Sequence, residues 1–505
     1  MGSSRPASRT MALSASAASI LFVALVAATP GSPFQPLLPA DAQPSGPLRW
    51  LAGVVGLDRL GAGALATVGI LAVAFAAIAF LLVLRAAWRA EVSVRTVIGL
   101  AVAYHVVVLF LPLLFSRDVY SYAYYGKIAA TYHANPYVRT PADFPRDALA
   151  AFVGPKWFAT PAVYGPLFTL LSSLVDRFVD SVAGATVAFR LVAVAASVGT
   201  IAIVARLVRR ERPERAAFAV ALIGLNPVVV FQSVASGHND LLVMLSIAGA
   251  LSLVFAGREL PATAVLALGT LVKATAAVPL VLLIAVAVAR RPKGERGRAL
   301  LAHLAVAGGI GLAFALPFLQ REDPSLGMIE LAKHEGWLAP SRFFRRLLDA
   351  VSGDALGVLA RIAFPMLLLA AVVLVARALV RRGGTVTPFA LGAGWGWGLL
   401  FLMLLGPVLL PWYVTWVLPL AWALPSVPRG VIIGASTALT VSQFTAEPGR
   451  FAAAYDANLF WGHYVVTPVV IGLLVWLSVD LLRRVRSGAP LEDEPREVAA
   501  SSRQH

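Results

Sequence analysis

Residues 62–84 read AGALATVGILAVAFAAIAFLLVL, 23 residues without one charged side chain. As an α-helix rising about 1.5 Å per residue, this run spans more than the ~30 Å hydrocarbon core of a bilayer. Arg85 follows at once, and Arg89 and Arg95 precede a second apolar run, Thr96–Phe115. Two apolar runs joined by a short basic linker read as a transmembrane hairpin whose turn faces the cytoplasm.

The rest of the 505-residue chain continues in this way. It is 59% hydrophobic and 13% charged, with a mean hydropathy of +0.80. Soluble domains carry about 25% charged residues, so this chain has too few charges to cover its apolar surface with a polar one. Disorder is excluded too, because it needs low hydrophobicity. The net charge of +16 would point to nucleic acid in a soluble protein. Here the basic clusters 206–215, 290–298, 377–382 and 483–486 each follow an apolar run. They are assigned to cytoplasmic loops, and no nucleic-acid partner is expected. With no cysteine, disulfides and thiol chemistry are excluded.

The pattern predicts an all-α polytopic membrane protein, a bundle of about 13–14 transmembrane helices with both termini inside. Residues 1–10 form the cytoplasmic N-terminus, 11–482 the membrane domain, and 483–505 a disordered cytoplasmic tail. Met11–Thr29 reads as a retained first helix, with a cleaved signal peptide as the alternative. Two larger outer loops are expected, about 116–183 and 320–355, the first containing a short re-entrant or interfacial helix, Tyr164–Val179. Pro261–Ala289 is too long for one ordinary span and reads as two short helices breaking near Lys273–Thr275. Val414–Val427 and Val431–Thr445 read as separate crossings.

Polar residues on the outer side gather in a few places. Asp118 emerges as the third span ends, within SRDVYSYAYYGK (116–127). Tyr120, Tyr124 and Lys127 share helical spacing, as in an aromatic face along the membrane; an interfacial tyrosine belt with Asp118 as helix cap fits equally. Asn135-Pro136-Tyr137, Lys156-Trp157 and Tyr164-Gly165-Pro166 follow, a set of aromatics and turns consistent with a carbohydrate platform or with packing. Ser236-Gly237-His238-Asn239-Asp240 lies at the mouth of another span. Asn239 or Asp240 caps that helix, or the helix N-terminus meets an anion with His238 beside it. A metal held by His238, Asp240 and Asp118 has no support from spacing. Only five lysines occur in the chain, and Lys273 lies in its most apolar stretch. Such a residue serves a function, or snorkels to the surface. In the second outer loop, Lys333-His334-Glu335 precedes SRFFRRLL (341–348), a basic amphipathic helix suited to an anionic lipid head group or to bulk phospholipid. Pro411-Trp412-Tyr413 forms a proline-broken aromatic corner.

These pieces in this order resemble the GT-C superfamily of membrane glycosyltransferases, most nearly the actinobacterial polyprenol-phosphate-mannose-dependent α-1,6-mannosyltransferases of lipomannan and lipoarabinomannan synthesis. The likeness covers roughly residues 100–425. It rests on Asp118 with Tyr122 and Gly126, Asn135-Pro136-Tyr137, Tyr164-Gly165-Pro166, Asn226-Pro227, Gly237-His238-Asn239-Asp240, Lys273 and Pro411-Trp412-Tyr413. It implies inverting transfer on the outer face of the cytoplasmic membrane, from a polyprenyl-phosphate sugar to a glycolipid or glycan acceptor, with no cofactor assigned. Asp118 would then be the general base. His238, Asn239, Lys273, Arg342 and Arg345 would hold the donor phosphate. Tyr122, Asn135, Tyr137, Trp157, Tyr164, Asp240, Trp412 and Tyr413 would contact sugar or acceptor. Only one acid stands in the Asp118 motif, where some GT-C enzymes pair two, which leaves a metal requirement open. The rival is a secondary transporter or flippase for a lipid-linked or anionic solute. It has the span count in its favour, but the chemistry clusters at the outer face rather than the midplane.

Overall fold

The computed structural model describes residues 4–39, 48–319, 327, 335–336, 338–352, 356–382, 386–443 and 452–493. Among these, every regular element is helical, as the composition requires. α1 (Ser4–Ala28), the short α2 (Arg49–Val54), α3 (Ala62–Trp88) and α4 (Val94–Leu109) open the bundle. α1 packs along α3, and its Ser16 hydroxyl lies 2.6 Å from the Tyr104 hydroxyl of α4. The expected first outer loop holds three helices, α5 (Asp118–Ala130), α6 (Pro155–Phe158) and α7 (Pro166–Phe178). α8 (Val182–Glu211) and α9 (Ala216–Gly224) follow, then a π-helical turn over Val228–Val234 and α10 (Asp240–Phe255).

α11 (Glu259–Thr270) and α12 (Ala277–Ala289) are the expected short pair, parted by one 3-10 turn, Ala274–Ala276, immediately after Lys273. α13 (Arg296–Ala315), α14 (Pro340–Ser352), α15 (Gly357–Val380), α16 (Pro388–Leu405), α17 (Ser426–Thr440), α18 (Ala452–Trp461) and α19 (Thr467–Ser487) complete the chain. α16 is the central post, almost wholly buried. Its glycines admit neighbours closely: a Cβ on Gly394 would lie 2.6 Å from Leu379, and one on Gly398 2.7 Å from Val278.

Among the described residues, eight helices are long and apolar enough to cross a membrane, and three shorter apolar ones accompany them. One of the expected 13–14 crossings is absent for a local reason. Val414–Val427 is not a crossing but two buried 3-10 turns, Pro411–Trp416 and Leu418–Leu420. Pro411, Pro419 and Pro425 each withhold a helical amide and clash with the preceding turn.

Two further expectations change. The tyrosines of α5 do not form a surface belt: Tyr120, Tyr122, Tyr124 and Tyr125 are all buried, because α5 packs on α7 and α8. The tail is ordered as far as Asp493. Asp493 donates its amide to the Ala423 carbonyl (3.0 Å), Trp397 Nε1 donates to the Leu491 carbonyl (3.0 Å), and Glu492 accepts from Arg382 (2.7 Å). Residues 494–505, and Lys333 and His334 of the expected second outer loop, lie outside the described residues.

Candidate active site

Asp118 opens α5, a helix of 13 residues, too short to span. The turn before it is fixed from three directions. Ser236 Oγ–H donates to the Leu114 carbonyl, Gln443 Nε2 donates to the Phe115 carbonyl (3.2 Å), and Ser116 Oγ accepts from the Asp118 amide (3.1 Å). Phe115 itself adopts φ 58°, a conformation a bulky residue holds only when its surroundings impose it. α5 then runs against α7 at backbone contact, since a Cβ on Gly126 would lie 2.2 Å from the Ser172 carbonyl oxygen. Tyr122 is wedged edge-on between Tyr164 and Phe168, each 4.8 Å away.

The Gly-His-Asn-Asp element faces this helix. Asn226 folds its amide oxygen onto the Val228 amide (3.0 Å) and its nitrogen onto Ser436 (3.1 Å), and Pro227 starts the π turn. Gly237, at φ +70°, turns the chain, and His238 donates its amide to Ser233 (2.9 Å). The His238 ring stacks on Trp412 at 3.8 Å. Its Nδ1 lies 3.3 Å from the Tyr122 hydroxyl and 3.7 Å from Asp118 Oδ2. Asn239 makes no side-chain cap, so the capping alternative does not hold for it.

Asp240 is buried and accepts from two donors on one oxygen: Lys273 Nζ at 2.8 Å and Trp416 Nε1 at 2.7 Å. Lys273 also lies over the rings of Tyr413 (4.4 Å) and Trp416 (5.4 Å), a cation–π setting. Its position is secured from α7. The Gly165 amide donates to Val272 (3.0 Å) and the Leu167 amide to Leu271 (3.1 Å), pinning the break that precedes Lys273 to the Tyr164-Gly165-Pro166 turn.

Several buried polar atoms here have no partner among the described residues: His238 Nε2, both amide atoms of Asn239, Asp240 Oδ2 and Ser121 Oγ. Ser121 stands one helical turn after Asp118. An unmet buried polar group costs about 1–3 kcal/mol, so their concentration marks a place where a polar ligand completes the structure. Burial raises the Asp118 carboxyl to about 6, against the opposing pull of Lys273, with Asp240 raising and Lys156 lowering it further. At neutral pH it is ionised yet more basic than an ordinary carboxylate. Burial, then the Lys273 charge, holds the His238 imidazole neutral. Among the described residues, no group of three or more His, Asp or Glu side chains is placed to hold a metal.

The structure therefore brings together Asp118, Tyr122, Tyr164, His238, Asn239, Asp240, Lys273, Trp412 and Tyr413. Asn135, Tyr137 and Arg345 engage their polar groups with other protein groups. Asn135 uses its amide on the Phe318 carbonyl (2.9 Å) and the Tyr137 amide (3.0 Å). Tyr137 donates to the Tyr164 carbonyl (2.7 Å), a strut beneath the site. Trp157 lies on α6, half-buried beside Lys156. Arg345 is consumed by Glu335 and Asp349, both at 2.7 Å, and Arg342 shares its helix α14, which packs on α15, α16 and α19. Sequence reasoning assigns no role to Ser121, Lys156 or Trp416. A tryptophan four residues after a chosen one in an aromatic run carries no signal of its own.

Comparisons with known proteins identify the family. The family model described as Alpha-(1->6)-mannopyranosyltransferase, N-terminal domain, matches residues 17–290, which takes in Asp118, His238, Asp240 and Lys273. Alpha-(1->6)-mannopyranosyltransferase A of Mycobacterium tuberculosis is 27% identical over 364 residues, 69% of this chain and 68% of its own length. No solved structure matches. A family match over more than half the chain, around a cluster of unmet polar atoms, supports an enzyme over the transporter reading. The chain belongs to the alpha-(1->6)-mannopyranosyltransferase family and is a multi-pass membrane mannosyltransferase.

Proposed function

We propose that the mannosyl donor is a polyprenyl-phosphate sugar, that the acceptor is a glycolipid or glycan, and that transfer occurs at the outer face of the cytoplasmic membrane with inversion. Asp118 is the general base. It takes the proton of the acceptor hydroxyl as that oxygen attacks the anomeric carbon. The bond from that carbon to the phosphate oxygen breaks, and polyprenyl phosphate leaves with the electron pair. One displacement from the face opposite the leaving group inverts the centre.

The observation that carries this reading is the pairing of a basic carboxylate with a fixed cation across one small site. Asp118 approaches His238, and Lys273 stands beside Asp240 with donors to spare. An ammonium has three N–H groups, and one is committed to Asp240. Such preset positive charge stabilises the leaving phosphate without reorganisation. His238 Nε2 and the Asn239 amide supply further neutral donors. Asp240 Oδ2 and Ser121 suit sugar hydroxyls, and Trp412 and Tyr413 offer ring faces. Lys273 on the break of a short helix pair, flanked by basic clusters at the pair's other ends, supports the outer face. Arg342 and Arg345 are not needed for this scheme.

The test is incubation of membranes with labelled polyprenyl-phosphate-mannose and a short mannoside. Inward-facing and outward-facing sealed vesicles, assayed separately, report the side of the site. Transfer from the lipid donor, lost in Asp118→Asn, supports the assignment. Transfer from a nucleotide sugar alone refutes the donor, and full activity of Asp118→Asn refutes the base.

A further inference from the structure

A cavity of about 670 Å³ opens at the opposite end of the α11–α12 pair, lined by Arg258, Glu259, Arg291, Arg298 and His303 among others. It falls in the size range of small-molecule sites. It lies between the α10–α11 turn, where Gly257 takes φ +71°, and the start of α13. Charge is not balanced inside it. Glu259 is neutralised by Arg290 (3.0 Å) and Arg291 (3.3 Å). Arg258 and Arg298 form no ion pair among the described residues, and Glu295, which also lines the cavity, forms none either. His303 is buried, with Nδ1 2.7 Å from the Thr263 hydroxyl.

The wall of this cavity continues into a lipid-facing surface. α13 is long and apolar enough to cross the membrane, yet almost none of its apolar window is buried. Leu301, Leu304, Leu312 and Leu316 are 68%, 50%, 58% and 64% exposed. Their spacing sets them along one stripe that begins one turn from Arg298. A free anion would use only the arginines, whereas a two-part ligand would use both features.

We propose that this cavity is a binding site for an anionic phospholipid, with the phosphate-bearing head group between Arg258 and Arg298 and the acyl chains along the leucine stripe of α13. Basic pockets at the ends of membrane helices take anionic head groups by this combination of charge and adjoining apolar surface. It is separate from the transfer site, whose cation is Lys273 at the far end of α11.

The test uses the full-length protein in mild detergent, examined by native mass spectrometry after addition of phosphatidylglycerol or phosphatidylcholine of matched chains. Retention of phosphatidylglycerol over phosphatidylcholine is expected, with affinity falling about fivefold for each arginine removed in Arg258→Ala and Arg298→Ala. The control pair Arg209→Ala and Arg210→Ala, on another basic helix end, should leave retention unchanged. Equal loss in the control reduces the effect to general surface charge and overturns the site. Equal retention of the two lipids, or undiminished binding by the Arg258/Arg298 double variant, overturns it as well. Displacement of the lipid by millimolar inorganic phosphate would identify an anion site and overturn the lipid assignment. Mannosyl transfer equal to wild type in the double variant verifies that the protein is folded when the binding is read.

Discussion

Lys273 Nζ and Asp240 Oδ1 meet at 2.8 Å inside the helix bundle, with side-chain exposures of only 11% and 1%. A pair so enclosed is held by mutual dependence. Removing one partner strands the other charge, at about 3–5 kcal/mol, whereas removing both costs much less. Lys273→Met should therefore lower the melting temperature sharply. The double variant Lys273→Met/Asp240→Leu should recover most of that loss. If Lys273 holds the leaving phosphate as proposed, transfer must not recover with it; a deficit of about 10²–10³ is expected. Thermal melting and rate measured on the same preparations separate the two roles. Recovery of both together would make Lys273 structural only.

Asp118→Asn keeps the shape of the side chain and removes the proposed base. A loss of about 10²–10⁴-fold in transfer rate is expected, with donor binding retained. Wild-type kcat/KM should depend on pH in a defined direction. The carboxyl titrates at about 6 and works only when ionised, so activity rises with pH through that value and levels off above it. The Asp118→Asn variant should lose this limb while keeping its residual rate. A wild-type profile flat between about pH 5 and 7, the range that brackets this titration, would contradict the assignment.

The legible parts of the site are those with a local anomaly. A lysine in an apolar stretch and a Gly-His-Asn-Asp run between spans both stand out against their neighbours, and they meet in the structure. The alternation of apolar runs and basic clusters likewise discloses an all-helical membrane bundle. What escapes is created by tertiary contact. Trp416 matters because it reaches Asp240 across 176 positions of sequence, and no pattern encodes that. The α5 tyrosines read as an interfacial belt because a buried tyrosine and an interfacial one have the same composition. Arg345 reads as a free cation although Asp349 stands four residues on along the same helix; its second partner, Glu335, lies on a separate segment. Pro419 and Pro425 fall within an apolar stretch that reads as a span, although each argues for a break.

The docked C-terminal segment can be tested by shortening. Asp493 meets Arg429 at 3.1 Å and Arg212 at 3.7 Å, but its side chain is partly exposed, so those pairs add little, about 0–1 kcal/mol. The backbone bonds at Leu491 and Asp493 and the buried Leu491 contribute more. Asp493→Ala should thus change the melting temperature slightly. Ending the chain after Pro490 should lower it clearly, with transfer preserved at low temperature. Equal effects of the two changes would place the stabilisation in the ion pairs instead.

Gly165 provides the strictest test of how the site is assembled. Its own backbone is unremarkable, at φ −67°, so conformational freedom is not the reason for a glycine there. Space is. A Cβ at this position would lie 2.1 Å from the Leu271 carbonyl oxygen, far inside contact distance, and that carbonyl also accepts the Leu167 amide. Gly165→Ala must therefore push α7 away from the helix break that positions Lys273. The expected result is a strong loss of transfer from a displaced cation. Ser173→Ala, farther along α7, removes only a hydroxyl bonded to its own helix at Thr169 (2.9 Å) and should cost little. If Gly165→Ala retained wild-type transfer, the stitch between α7 and the Lys273 turn would not set the geometry of the site.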